Sequence, residues 1–191
     1  MTKNRMEAFS DGVLAIIITI MVLELRVPHG SDLAALLSVA PKFMSYVLSF
    51  VILGIYWNNH HHLLQAIKQV DGRVLWANMH LLFWLSIVPF VTGWMGENRF
   101  AAWPVALYGV VLFFAAVAYY ILVRSLIHLH GKSSTLAAAV GRDFKGKASL
   151  AVCGAAIPTA FLSPWISCGM YVLVAVIWFI PDRRIEKTLN R

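Results

Sequence analysis

Residues Gly12 to Leu23 form an apolar run broken only by Thr19, and Arg5-Met6-Glu7-Ala8-Phe9-Ser10-Asp11 leads straight into it. An arginine, a hydroxyl and a carboxylate thus sit at the mouth of a segment able to enter a bilayer. Ionisable groups there are costly and persist where they serve a function or join helices together. Similar runs recur along the chain, which is 60% hydrophobic and 13% charged over 191 residues. A soluble domain of this size has no use for so many. The sequence predicts an all-α, polytopic membrane protein, with residues 1–191 as one transmembrane domain.

Six spans are predicted, at about 9–25, 41–64, 74–94, 103–127, 148–162 and 165–180. Each approaches the length needed to cross roughly 30 Å of hydrocarbon at about 1.5 Å per residue. Pro41 suits the first turn of the second span, where a missing N–H costs little. Pro89 is expected to kink the third. The linker before Pro41 carries Pro28, Gly30, Ser31 and Asp32, with a short apolar piece, Leu33 to Leu37, suited to the interface. Ser163-Pro164 divides the last two spans into a hairpin. Lys3 and Arg5 ahead of the first run imitate a signal peptide, but Glu24-Leu25-Arg26-Val27-Pro28 offers no small-x-small cleavage site, so the segment is expected to stay.

The net charge of +7 sorts by side of the membrane. With the N-terminus inside, only Arg26, Lys42 and Arg99 among the 16 basic residues fall outside. This positive-inside bias predicts cytoplasmic N- and C-termini, and it accounts for the basic balance without nucleic acid as a partner. Most tryptophans fall near predicted span ends, as interfacial anchors do. Cys153 and Cys168 lie inside apolar runs and suit packing rather than a disulfide or metal.

On a helix of about 100° per residue, Ile16, Thr19, Ile20 and Leu23 lie within roughly 60° of one line, and Asp11 falls almost opposite. Packing in a bundle explains such a face; so does lining a path. The second cluster is Tyr56-Trp57-Asn58-Asn59-His60-His61-His62. Consecutive histidines on a helix point about 100° apart and so cannot readily share one ion, which leaves no metal site expected. A pairing between one of His60, His61 and His62 and Asp11 or Ser10 at the same depth is the better use. Asn78 and His80 enter at that depth and suit the same network. Glu24 and Arg26 snorkel at the outer end, or Glu24 joins an acidic ring if several chains bring this helix together. No placed nucleophile, metalloprotease helix, phosphate loop or cofactor site is present, so the chain is not expected to be an enzyme or to carry a cofactor.

Arg5, Phe9, Ser10 and Asp11, as Arg-x-x-x-Phe-Ser-Asp opening the first membrane helix, resemble the signature of the lysosomal potassium channel family (transmembrane protein 175) in its bacterial six-span form. Tyr56-Trp57 before His61-His62-Leu63, and the stretch from Asn78 through Pro89-Phe90 to Gly96-Glu97, extend the likeness. The resemblance implies a homotetramer in a cell membrane, conducting potassium ions without the Thr-Val-Gly-Tyr-Gly loop of ordinary potassium channels. It implies pore-lining layers at Ile16, Thr19 or Ile20, and Leu23. It also implies a structural polar network of Arg5, Phe9, Ser10 and Asp11 with Trp57 and a histidine of His60, His61 and His62. The alternative reading is a proton- or ion-coupled secondary transporter using Asp11 and the His60–His62 cluster. Such folds usually carry internal repeats, and none is evident.

Overall fold

The computed structural model describes residues 2–131, 134, 136, 137 and 144–179. Residues 180–191, which hold the last residue of the sixth predicted span and the C-terminus expected in the cytoplasm, lie outside the described residues, as do the basic residues Lys132 and Arg142. Those residues form seven helices and no strand: α1 (Lys3–Leu23), α2 (Leu33–Ser38), α3 (Ala40–Gln65), α4 (Gly72–Glu97), α5 (Ala102–His130), α6 (Phe144–Thr159) and α7 (Pro164–Phe179).

Four of these, α1, α3, α4 and α5, are long and apolar enough to cross a membrane. The hairpin helices α6 and α7 are 16 residues each, shorter than a full crossing usually takes. Local chemistry explains the breaks. Asp71 caps α4 by accepting from the backbone N–H of Val74 at 2.8 Å, and Asp32 caps α2 through Ala35 at 2.9 Å. Pro41 stands in the first turn of α3, and Pro164 opens α7. The helix α4 runs on through Pro89 without interruption. Between α4 and α5 the chain turns on Arg99 and Phe100, both at positive φ (49° and 61°). Phe100 is buried against Trp165, with ring centroids 5.1 Å apart, and this burial offsets the local backbone cost.

The pair α4 and α5 forms the centre. On one side α3 and α1 pack on α4; on the other, the α6–α7 hairpin packs on α5, with α7 also reaching α3. Two close approaches fix the layers. At Gly96 a side chain would meet Ser45 Oγ and the Lys42 backbone, so α3 and α4 touch there; at Gly109 it would run into the Tyr171 hydroxyl of α7. Buried hydroxyls join the layers. Ser49 of α3 lies 2.6 Å from Thr92 of α4 and 2.9 Å from Tyr108 of α5, all inside an apolar core. Tyr171 donates to the Val105 carbonyl at 3.1 Å, and Ser167 ties the hairpin together by donating to the Ala156 carbonyl at 2.8 Å.

This arrangement leaves α1 at the edge. It contacts α3 and α4 on one side, and its other side packs on none of the described residues.

Candidate functional site

The first helix begins at Lys3, six residues before the predicted span, so Arg5 to Asp11 occupy helical turns within it. Met6, Ser10, Leu14, Ile17 and Met21 make its packed face, each nearly inaccessible. Turned away from them are Phe9, Ile16, Thr19, Ile20 and Leu23. Ile16 is 61% exposed and Leu23 75%, against 3% for Ile17 and 2% for Met21. Both faces follow from the spacing, since residues three and four apart share a side. A long apolar stripe on an edge helix demands a covering, by lipid or by other copies of the chain. Within it, Thr19 donates its hydroxyl to the Ala15 carbonyl at 2.8 Å, which leaves the lone pairs of that oxygen unused.

Behind the stripe, α1 is clamped at its N-terminal half by two lines of polar contacts. In the first, Ser10 donates to the Met6 carbonyl at 2.8 Å and accepts from the Asn78 amide at 2.9 Å; Asn78 in turn accepts from His60 Nε2 at 2.8 Å. Ser10, Asn78 and His60 are all buried. Because the Asn78 oxygen can only accept, the His60 proton is on Nε2. Its Nδ1 is an acceptor with no partner among the described residues.

The second line is half exposed. The Trp57 indole N–H donates to Asp11 Oδ1 at 3.0 Å, and Trp57 stacks on His61 with centroids 6.1 Å apart. His61 Nδ1 meets Glu7 Oε1 at 3.2 Å, while Gln65 donates to His61 Nε2 at 2.8 Å. With the Gln65 amide on Nε2, the Nδ1 side of the ring is the one turned to Glu7.

Several sequence expectations are corrected here. Asp11 pairs with Trp57 and not with a histidine. His60 reaches Ser10 only through Asn78. His80 stays within its own helix, accepting from Trp84 at 3.0 Å. Arg5 is exposed and has no hydrogen bond or ion pair among the described residues; Phe9 is likewise outside the clamp, 47% exposed on the stripe. His62 is half-buried, its ring tilted beside that of His61 with centroids 5.8 Å apart. Glu7, Gln65 and the buried hydroxyls of Ser49, Thr92 and Tyr108 had no place in the sequence reading. Hydroxyls recurring in three apolar runs at matched depth were their one available signal. Among the described residues no three potential metal ligands converge. At the far end of α3, Lys42 pairs with Glu97 at 2.8 Å, joining α3 to α4.

Comparison with known proteins bears on the family and the fold. Residues 5–89 match the family model described as "Endosomal/lysosomal potassium channel TMEM175". A protein named as a potassium channel from a Chryseobacterium species is 55% identical over 190 residues, spanning 100% of this chain and 99% of its own length. A human protein named as an endosomal/lysosomal proton channel, TMEM175, is 37% identical over 116 residues, which is 54% of this chain but 23% of the relative. Among solved structures, the crystal structure of a lysosomal potassium-selective channel TMEM175 homolog from Chamaesiphon minutus aligns with a TM-score of 0.81 at 25% identity, covering 94% of this chain and 97% of that one.

Proposed function

This chain belongs to the TMEM175 family, and from that premise we propose that it is a potassium-selective channel whose ion path is lined by α1 from each of four copies. The family is one of ion channels, so the chain is a multi-pass membrane protein and not an enzyme. In this reading the whole chain, 1–191, is a six-span domain in the cell membrane, both termini cytoplasmic, with the short α6 and α7 supplying the last two crossings.

The observation that carries the reading is the exposed stripe of α1 at Ile16, Thr19, Ile20 and Leu23 on a helix otherwise packed and clamped. Four copies facing inward would convert each of these residues into a ring. Isoleucine and leucine rings give a passing ion no oxygen ligands. The ion must therefore shed or squeeze its hydration shell, and such a ring can also close by dewetting. Potassium holds water less tightly than sodium, so this constriction favours it modestly. A ring of Thr19 oxygens, whose protons are already engaged with Ala15 carbonyls, would replace part of the lost hydration. Ile16 and Leu23 are then the constrictions, and Thr19 or Ile20 the middle layer.

The clamp, by contrast, fixes the rotation of α1 and hence which residues line the path. Asp11 and His60 are each held by neutral partners, an indole and an amide, which supports a structural role over proton relay. The deciding experiment is reconstitution of purified protein in liposomes with a potassium gradient, reading flux against sodium and caesium. Flux that runs only when coupled to a proton gradient would sink the channel reading in favour of a transporter.

A further inference from the structure

We infer that the cavity between α3, α5, α6 and α7 is a binding site for a small uncharged amphiphile, an alkyl or ring body carrying one hydrogen-bonding head. The cavity holds about 110 Å³. An apolar cavity of about 150 Å³ takes up benzene and stays free of water, so this one suits a single ring or a short alkyl chain. Its walls are aliphatic and aromatic, and among the described residues no charged side chain lines it. A charged head would lose its hydration there with nothing in return, which restricts the ligand to neutral molecules.

Two polar groups on α3, one helical turn apart, give the site a polar end. Tyr56 lines the cavity, packed edge-on to Tyr119, and its hydroxyl has no hydrogen-bond partner among the described residues. Asn59 donates its amide to the Ile55 carbonyl at 2.8 Å and keeps its Oδ1 open. Several other polar groups in the wall are already engaged: Ser149 accepts from Trp178 at 2.7 Å, Tyr171 donates to Val105 at 3.1 Å, and Tyr119 donates to the Asn59 carbonyl at 3.2 Å; the Tyr120 hydroxyl and the Cys153 thiol also line the wall. At the α3 end the Tyr56 hydroxyl and the Asn59 Oδ1 together form the complement of a phenol or alcohol O–H. The site lies behind the clamp, because α3 turns Trp57 and His61 away from it toward α1.

Trp178 in the wall supplies the reporter. In lipid nanodiscs holding the full chain, titration with 4-bromophenol should give a saturable component of tryptophan quenching. Trp178→Phe should remove that component. Tyr56→Phe should raise its Kd about three- to tenfold, the effect of one lost hydrogen bond. Ala116→Phe, which fills the cavity, should abolish it; if that variant fails to fold, Tyr56→Phe, lacking a single oxygen, carries the test. Quenching that rises linearly with probe in the bilayer, or a saturable component unchanged by Tyr56→Phe, would overturn the assignment. Binding is read without ion flux, so this result stands apart from the channel reading.

Discussion

Trp57 and Asp11 meet at 3.0 Å, an indole N–H on a carboxylate, and this bond sets the rotation of α1 against α3. A carboxylate at the edge of a membrane needs a donor, and an indole supplies one without adding a second charge to desolvate. Trp57 thus does more than anchor α3 at an interface, the role its position near a span end implies.

Trp57→Phe keeps the ring and removes the donor. It should lower stability by about 1.5 kcal/mol, the low end for hydrogen bonds to charged groups because the pair is half exposed. A cycle of Trp57→Phe and Asp11→Ala, read by thermal unfolding in detergent, should show a coupling of about 1 kcal/mol or more. Strict additivity would mean the two side chains do not interact.

Asn78→Leu cuts the buried line from Ser10 to His60. It strands the His60 Nε2–H in an apolar setting, at a cost of about 1–3 kcal/mol. Adding His60→Leu should recover much of the loss, since replacing both partners by apolar groups can be nearly neutral. A double variant less stable than Asn78→Leu alone would show that His60 is held by something other than Asn78.

The glycines of α4 offer a paired test of packing. A Cβ at Gly96 would press on Ser45 Oγ and the Lys42 backbone, whereas one at Gly93 meets nothing within 4 Å. Gly96→Ala should destabilise by about 1–3 kcal/mol through overpacking. Gly93→Ala should be neutral or stabilising by up to ~1 kcal/mol, since alanine is the better helix former. Equal effects at the two positions would contradict the close approach of α3 and α4.

How far the sequence carried differs by level. The long helices follow from run length and two of their starts from Pro41 and Pro164, all local signals, while the caps at Asp32 and Asp71 come from the structure. The two faces of α1 follow from helical spacing, so Ile16, Thr19, Ile20 and Leu23 are legible as a group. Which partner each polar residue takes is not, because helix rotation and depth are set by packing between segments far apart in the chain. Asp11 takes its donor from Trp57, and His60 meets Ser10 only across Asn78, which comes from a third helix. Arg5 matches the motif in sequence yet faces outward, because residue 5 falls on the same side as Phe9 and Ile16.

The stripe itself is tested by Thr19→Val and Ile16→Asn. Both residues are exposed and make no contact that holds the subunit together, so each variant should leave unfolding of the single chain within about 0.5 kcal/mol. Any change then reports on the ion path. Thr19→Val keeps the shape and deletes the oxygen; if that ligand is worth about 0.5–1 kcal/mol, the potassium-to-sodium preference should fall about two- to fivefold. Ile16→Asn replaces a dewetting ring by amides, so total flux should rise while discrimination falls. Liposome flux with each cation alone separates the two outcomes. If neither variant alters conduction or preference, α1 does not line the pore and its exposed stripe faces lipid.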